Sequence, residues 1–287
     1  MNATRVAVVG LGRAGSALVR SLVDADQEIV ALVSAHATRA PADARAPIFT
    51  DVRALDGLPV DVCLLAVPDG ALDDVARALA ALDTPPSIVA HLAGARGPSA
   101  LAALGERAAA FHPLAALARD VPVPKGALVA IDARGDAPRA TLVSLARALG
   151  LAPVVVDEGS RALYHAGAVV TANLSLALVA LGERLLARAG VDEATAHAGL
   201  AILLRSAAEN LTRAPTIEAA LTGPIARGDD ETVRAHLVAL GSDKEARAIY
   251  RALSRALVDH SPAARRDPST RAALLRALDD PRDEPID

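Results

Sequence analysis

The residues best suited to acid–base chemistry are two histidines, His112 and His165, because an imidazole near neutrality both donates and accepts protons. Pro113 restricts the residue before it to extended conformations, which would fix the direction of the His112 side chain. His165 and Asn173 lie on one face of a predicted helix, roughly 12 Å apart along its axis. We predict His112 or His165 as the general acid and Asn173 as a ligand-orienting residue. Each could instead make only structural hydrogen bonds, within a loop or at a helix–helix contact.

A rigid loop between predicted helices, Leu221–Asp229, presents Arg227, whose guanidinium fork could clamp a substrate carboxylate. Arg227 could equally be a surface residue paired with Asp229 or Asp230. A second glycine-bearing loop, which contains Gly94, is predicted to contact the substrate.

The histidines lack the spacing of metal ligands, so we expect no metal. The sequence also has neither a Walker-type phosphate loop nor a Gly-x-Ser-x-Gly nucleophile elbow.

A short apolar strand, Val6–Val9, runs directly into a Gly-x-Gly-x-x-Gly motif that opens an alanine- and leucine-rich helical segment. Gly10 would permit a tight turn, Gly12 the approach of a pyrophosphate, and Gly15 close packing of helix on strand. The phosphates would rest on the free N–H groups and the positive dipole end of the helix. An ordinary strand-to-helix turn is the alternative. The predicted dinucleotide contacts are Gly10, Leu11, Gly12, Arg13, Ala14 and Gly15.

The end of the next predicted strand, Glu28–Ser34, bears on which dinucleotide would bind. NAD-binding domains of this type carry an acidic residue there that bonds the ribose 2′-hydroxyl, whereas NADP requires that acid to be absent and a cation nearby. This strand ends in Ser34, and Arg39 follows shortly. We therefore favour NADP, with NAD possible, and place Ser34, Arg39 and either Arg13 or His36 around the 2′-phosphate. Arg39 could also be a solvated loop residue.

Further apolar runs continue the alternation of strands and helices. One begins at Asp61 and stops at Pro68, and it is typical of a buried parallel strand, whose carboxyl end borders the ligand in such sheets. Its last residues, Ala66, Val67 and Pro68, are therefore predicted to contact the cofactor. Other strands are predicted at Ile48–Phe49, Ser87–Leu92, Ala108–Phe111, Ala127–Asp132 and Pro153–Asp157, and helices at Asp73–Leu82, Ser99–Glu106 and Ala137–Leu149.

The pattern after Gly159 is helical throughout, which places a domain boundary at Glu158-Gly159. We predict a Rossmann-like, doubly wound, mostly parallel α/β domain over residues 1–158, an all-α substrate and dimerisation domain over 159–278, and a disordered tail over 279–287. Helices are predicted at Ser160–Arg188, Asp192–Leu211, Thr216–Leu221, Asp230–Leu240, Lys244–Val258 and Thr270–Leu278.

The composition limits the function classes. The 287 residues are 52% hydrophobic, carry a net charge of −4 and contain only four aromatic side chains, which argues against nucleic acid as a partner. One cysteine, Cys63, cannot form an internal disulfide, and no export signal is visible, so we expect a cytoplasmic protein.

Residues 162–182 are uncharged and long enough to span a bilayer. Their five polar side chains favour instead a helix buried in a helical domain or a dimer, and no membrane partner.

Five motifs together resemble a bacterial family of predicted oxidoreductases that pair a Rossmann-like domain with a C-terminal helical domain of unknown function. These motifs are Gly10–Gly15, Ala66–Asp69, Phe111–Leu114, Tyr164–Asn173 and Leu221–Asp229. The family is similar to the wider group of β-hydroxyacid dehydrogenases, 6-phosphogluconate dehydrogenase and ketopantoate reductase, whose helical domains commonly dimerise. The resemblance implies NADP-linked reduction of a small carbonyl or imine substrate by a homodimer.

The chain departs from this pattern at two positions. The β-hydroxyacid and ketopantoate groups place a catalytic lysine one helical turn before the position of Asn173, where this chain has Val169. Relatives carry a serine where this chain has Ala93. The leading hypothesis is an NADP-dependent reductase with His112 or His165 as the acid. The missing lysine motivates an alternative, a dinucleotide-binding sensor or regulatory protein without catalysis, and non-redox use of a fixed dinucleotide is a third.

Overall fold

The computed structural model describes residues 4–36, 44–119 and 121–279. Arg39 and residues 280–287 of the predicted tail lie outside these ranges, so their predicted roles stay predictions. The chain forms two compact units, residues 1–174 and 175–287, which divide within one long helix. The predicted domain boundary at Glu158-Gly159 lies before that helix, whereas the division falls inside it because its first turns contact the sheet of the first unit.

Eight strands form one sheet in the first unit. They are β1 (Arg5–Val9), β2 (Glu28–Val33), β3 (Ile48–Phe49), β4 (Val62–Leu65), β5 (Ile88–His91), β6 (Ala108–Pro113), β7 (Leu128–Ala133) and β8 (Ala152–Val155). The strand order is β3-β2-β1-β4-β5-β6-β7-β8, and every pair is parallel except β6 with β7. This confirms the predicted doubly wound, mostly parallel sheet.

The central strands are continuous apolar runs because both faces of the sheet are covered. Side chains alternate between the faces, so Val6 and Val8 of β1 contact one hydrophobic cluster and Val9 contacts the other. Cys63 lies in β4 as predicted and is fully buried, and burial raises the pKa of its thiol to about 12. A thiol in that state is protonated and unreactive.

Three α-helices cover the sheet: α1 (Arg13–Asp24), α2 (Leu72–Ala80) and α3 (Asp136–Ala148). The helix predicted at Ser99–Glu106 is present, but as a broken 3-10 segment, Pro98–Arg107, and not as a regular α-helix. Leu101 leaves the helical region of backbone conformation, and Gly105 has a φ of 56°, which interrupts a regular helix.

Eight helices follow, as an all-α C-terminal region requires. They are α4 (Arg161–Arg188), α5 (Glu193–Arg213), α6 (Ile217–Ala220), α7 (Gly223–Arg227), α8 (Asp230–Leu240), α9 (Lys244–Val258), α10 (Pro262–Arg266) and α11 (Pro268–Asp279). Asp192, Asp229 and Asp243 accept backbone N–H bonds at the starts of α5, α8 and α9, which explains where these helices begin. The predicted loop Leu221–Asp229 contains the short helix α7, and α10 was not predicted.

The long helix α4 is not buried in the single chain. Among its described residues Arg161 alone is buried, and Leu163 is 81% exposed. Within the part of the chain that the structure describes, one helical stretch, Glu158–Arg188, is long and apolar enough to cross a membrane. The sequence predicted that this helix is buried either within the chain's own helical domain or in a dimer. Its exposure means that burial within the chain's own helical domain is not observed.

Candidate functional site

The glycines of the N-terminal loop have three different environments. Gly10 has a φ of 92°, and a Cβ at this position would lie 2.4 Å from the carbonyl oxygen of Ala66. A Cβ on Gly15 would lie 1.8 Å from the carbonyl oxygen of Gly10, so helix α1 packs against the turn with no room for a methyl group. A Cβ on Gly12 would meet no described atom within 4 Å. Gly10 and Gly15 are therefore required by the fold, whereas the space above Gly12 is open.

The first turn of α1 has the features of an anion-binding helix end. Gly12 is its N-cap, no described side chain caps it, and the turn contains no acidic residue. Its N–H groups and dipole are thus available to a phosphate. Arg13 and Ala14 occupy this turn, and the guanidinium of Arg119 donates to the carbonyl oxygen of Leu11 at 3.2 Å. Arg119 places a second cation at the loop that the sequence did not reveal.

The end of β2 lies directly beside the loop, since the Gly10 N–H donates to the carbonyl oxygen of Val33 at 2.8 Å. Ser34 follows and is largely buried, and its hydroxyl donates to the carbonyl oxygen of His36 at 2.8 Å. The strand end therefore presents a hydroxyl where an NAD-type site would present a carboxylate.

The residues after β4 also meet the glycine-rich loop. The Ala66 N–H donates to the carbonyl oxygen of Val9 at 2.7 Å, and the Ala66 Cβ lies 3.1 Å from the Cβ position of Gly15. Val67 contacts the Cβ position of Gly10 at 3.3 Å, and Pro68 follows on the exposed edge. Ala66 and Val67 thus contact the turn directly, as the parallel arrangement of β1 and β4 requires.

The two candidate histidines come together over Gly94. Their ring centroids are 5.7 Å apart with an interplanar angle of 81°. A Cβ on Gly94 would lie 2.9 Å from the Nε2 atom of each ring and 2.3 Å from Cδ2 of His165. Both imidazoles therefore present Nε2 to the loop after β5, although His112 belongs to β6 and His165 to α4.

The Gly94 loop is held in place by His91, a buried histidine at the end of β5. Its Nδ1 accepts the N–H of Ala93 at 3.1 Å, which leaves Nε2 to donate to the carbonyl oxygen of Gly97 at 2.9 Å. Burial lowers the pKa of His91, so the ring is neutral and matches this bonding pattern. A Cβ on Gly97 would lie 2.4 Å from the Glu158 side chain, which fixes the far end of the loop.

The electrostatics around His112 favour a neutral ring. Burial lowers the pKa of His112 to about 4, and the nearby charges of His165, Arg161 and His91 act in the same direction. Arg161 is fully buried, and its Nη2 donates to the carbonyl oxygen of Ala130 at 3.2 Å. Its Nε and Nη1 atoms have no hydrogen-bond partner among the described residues.

The two remaining predicted site residues are not brought to this cluster by the described contacts. Asn173 is exposed on α4, two helical turns beyond His165. Arg227 ends α7 in the second unit, its side chain is 64% exposed, and its Nη2 lies 3.7 Å from a carboxylate oxygen of Asp229. The surface ion pair considered for Arg227 is the arrangement observed. The substrate-binding roles of Asn173 and Arg227 stay predictions.

The sequence did not single out Tyr164 as a functional residue. Its hydroxyl lies 3.2 Å from Nδ1 of His112, and the two rings meet edge to face with centroids 5.7 Å apart. Tyr164 precedes His165 in the sequence, so a tyrosine beside a candidate histidine was the available signal. The contact between Tyr164 and His112 exists because β6 and α4 pack together, and no local sequence pattern predicts that packing.

Family models match both halves of the chain. Residues 2–116 match the model of a Rossmann-like domain, and residues 127–257 match a domain of unknown function, DUF2520. No curated protein sequence matches the chain.

Three solved structures share the fold over nearly the whole chain. Protein TM1727 from Thermotoga maritima is 20% identical with a TM-score of 0.71, covering 91% of this chain and 99% of that one. A candidate NADP oxidoreductase from Bacteroides fragilis is 21% identical with a TM-score of 0.68, covering 90% and 98%. The 1-pyrroline-5-carboxylate reductase from Streptococcus pyogenes is 16% identical with a TM-score of 0.60, covering 90% and 100%.

These matches confirm the architecture that the sequence motifs implied, while the wider relationship to 6-phosphogluconate dehydrogenase and ketopantoate reductase stays a prediction. The chain joins an N-terminal Rossmann-like domain to a C-terminal DUF2520 domain.

Proposed function

We propose that the protein is an NADP-dependent oxidoreductase that reduces a small carbonyl or imine compound. The observation that carries this proposal is the placement of two features at the carboxyl ends of two parallel strands, β1 and β5, which lie on either side of β4. The glycine-rich loop follows β1, and the His112–His165 pair faces the loop after β5. Ligands of open α/β sheets bind along this edge, so a dinucleotide seated on the loop would reach toward the histidines.

The loop environments support a dinucleotide in particular. The uncapped end of α1 offers N–H groups to a pyrophosphate, and the open space at Gly12 lets it approach the backbone. Arg119 and Arg13 add positive charge beside the same turn. The hydroxyl of Ser34 at the end of β2 favours NADP over NAD, because no carboxylate repels a 2′-phosphate there.

The histidine pair supports reduction of a polarised double bond. The cofactor, when bound, supplies hydride from its nicotinamide ring. His112 and His165 together can donate a hydrogen bond and a proton to the oxygen or nitrogen that gains charge. Asn173 would orient the ligand, and Arg227 would bind a carboxylate. The names of the structural neighbours agree with this class, since one is a candidate NADP oxidoreductase and another reduces a cyclic imine, 1-pyrroline-5-carboxylate.

The helical region supports a homodimer. In α5, among the described residues, Ala196 alone is buried, and Ile202, Leu203 and Leu211 are exposed. Exposed apolar helices of this length need a covering partner. Arg205 and Arg213 lie 3.9 and 3.7 Å from carboxylate oxygens of Glu209 on the same helix, so α5 carries both signs of charge beside its apolar side chains. We take the partner to be a second copy, because an identical helix can match this pattern across a two-fold axis. The same charges disfavour lipid as the covering phase.

The proposed activity is tested by following NADPH oxidation with a panel of 2-keto acids, ketopantoate and cyclic imines. We expect turnover with at least one compound and a large loss of turnover in His112→Ala and His165→Ala. Tight NADPH binding without turnover of any compound would instead support a sensor. In that case both substitutions would change stability alone.

A further inference from the structure

We propose that Tyr164 is a positioning residue that donates its hydroxyl hydrogen to Nδ1 of His112, so that His112 presents Nε2–H toward Gly94 as a hydrogen-bond donor. The inference gives Tyr164 a positioning role and gives His112 and His165 different roles in the proposed reaction. It rests on the proposed function for its catalytic consequence, whereas the hydrogen bond and tautomer are properties of the protein alone.

The geometry constrains the His112 ring on two sides. The Tyr164 hydroxyl lies 3.2 Å from Nδ1, and the edge-to-face contact between the rings has an interplanar angle of 89°. The opposite nitrogen, Nε2, lies 2.9 Å from the Cβ position of Gly94. The ring therefore uses one nitrogen for the tyrosine and offers the other to the loop where a ligand would bind.

The protonation states permit the proposed direction of the hydrogen bond. Burial raises the pKa of Tyr164, so its hydroxyl keeps its proton across the neutral range. The groups that face His112 are His91 from β5 and Arg161, Tyr164 and His165 from α4. Burial and the positive charges among these groups keep His112 neutral. A neutral ring has one nitrogen with a lone pair and one with a hydrogen, and the tyrosine hydroxyl satisfies the lone pair on Nδ1.

The two histidines would then have different roles. A neutral His112 polarises a carbonyl or imine by donating from Nε2–H, as a neutral imidazole can do in other enzymes, without giving up its only ring proton. His165 is the other imidazole that presents Nε2 to Gly94, and it would transfer the proton to the product. This division answers which histidine is the acid, a question that the sequence left open.

The chain contains a matched control for this interaction. In the second unit the Tyr250 hydroxyl lies 2.9 Å from Nδ1 of His236, with ring centroids 5.7 Å apart and an interplanar angle of 88°. The pair reproduces the Tyr164–His112 geometry in the other unit of the chain. Tyr250→Phe therefore reports the effect of losing such a hydrogen bond in general.

The test measures the tautomer of His112 by ¹⁵N NMR of histidine-labelled protein without cofactor or substrate, in wild type, Tyr164→Phe and Tyr250→Phe. We expect a single tautomer protonated at Nε2 in wild type, and a mixture in Tyr164→Phe that Tyr250→Phe does not reproduce at His112. In the NADPH oxidation assay, Tyr164→Phe should lower kcat at least about 10-fold with little change in KM.

Wild-type protein with the hydrogen on Nδ1 would overturn the inference, as would an unchanged His112 tautomer in Tyr164→Phe. Equal kcat values for Tyr164→Phe and Tyr250→Phe on an active substrate would also overturn it. If no compound is turned over, the oxidoreductase proposal fails, and the NMR comparison alone decides whether Tyr164 sets the His112 tautomer.

Discussion

The Nε2 atom of His112 lies 2.9 Å from the place that a Cβ on Gly94 would occupy, and the His165 ring lies closer still. Gly94 is thus the one residue of its loop whose missing side chain leaves room for both imidazoles. The two rings pack against each other and against this loop, which His91 holds by hydrogen bonds at Ala93 and Gly97.

Replacing Gly94 by alanine should therefore disable the site. The methyl group would displace both imidazoles, and a displacement of about 1 Å at reacting groups lowers turnover roughly 100-fold. We expect that loss in kcat, with NADPH affinity changed by less than about 3-fold, a factor worth below 1 kcal/mol. The matched control is Gly70→Ala, since a Cβ on Gly70 meets nothing described within 4 Å. Equal activity of the two variants would refute the placement of the site.

Alanine at Gly12 and at Gly15 should separate cofactor binding from folding. The Gly15 methyl would overlap the Gly10 carbonyl, so we expect Gly15→Ala to lower the free energy of unfolding by about 2 kcal/mol or more. Gly12→Ala has room in the protein and should cost at most about 1 kcal/mol, while its methyl would occupy the proposed pyrophosphate position. Urea denaturation and calorimetric titration with NADPH measure both effects. Unchanged NADPH affinity in Gly12→Ala would argue against a pyrophosphate there.

A carboxylate at the end of β2 should exchange the cofactor preference. Ser34→Asp would repel the 2′-phosphate of NADPH and accept the 2′-hydroxyl of NADH. We expect NADPH affinity to fall at least about 10-fold, a change of about 1.4 kcal/mol, and NADH affinity to rise. Ser34→Ala serves as the control, because it removes the hydroxyl bond to His36 without adding charge. If Ser34→Asp still prefers NADPH, the specificity does not depend on this position.

The exposed face of α5 should hold two subunits together. Leu203 is 64% exposed, and a glutamate there would place a charge in the proposed interface. We expect wild type to sediment as a dimer and Leu203→Glu as a monomer in analytical ultracentrifugation. Val238→Glu is the matched control, since Val238 on α8 is 65% exposed. A monomeric wild type, or wild type that floats with phospholipid vesicles, would contradict the homodimer.

Stability should fall in mild acid because His112 is held neutral in the folded state. Its pKa is about 4 when folded against 6.5 as the ordinary value, so the unfolded chain binds a proton first as the pH drops. The folded state loses up to about 3 kcal/mol between pH 6.5 and pH 4, and nothing above that range. Urea denaturation of wild type and His112→Asn should show a shallower pH dependence in the variant. The lowered pKa of His91 adds a parallel loss in both proteins.

The sequence predicted the sheet well because its central strands are buried on both faces and therefore read as unbroken apolar runs. Val6–Val9 and the run that ends at Pro68 are of this kind. At Ser99–Glu106 it predicted a helix but not its type, because the breaks at Leu101 and Gly105 leave a 3-10 segment in place of a regular α-helix. The exposure of α4 could not be predicted from the sequence either. An apolar helix has the same composition whether its own chain or another molecule covers it.

The site was predictable residue by residue but not as an arrangement. Residue type identified His112 and His165 as the candidate acids, yet their meeting over Gly94 depends on β5, β6 and α4 packing together. The lowered pKa of His112 arises from burial and from the charges of His165 and Arg161, which are far away in the sequence. Arg119 contacts Leu11 across 108 positions of chain, so no spacing rule points to it.

The central claim, that a dinucleotide on the glycine-rich loop brings its nicotinamide to the histidine pair, is tested most directly by a crystal structure with NADPH bound. We expect the pyrophosphate over Gly12 on the first turn of α1, and the nicotinamide beside the Gly94 loop. The Nε2 atom of His112 or His165 should lie within about 3 Å of a ligand next to nicotinamide C4. A nicotinamide ring remote from both imidazoles, or NADPH bound away from the Gly10–Gly15 turn, would contradict the account.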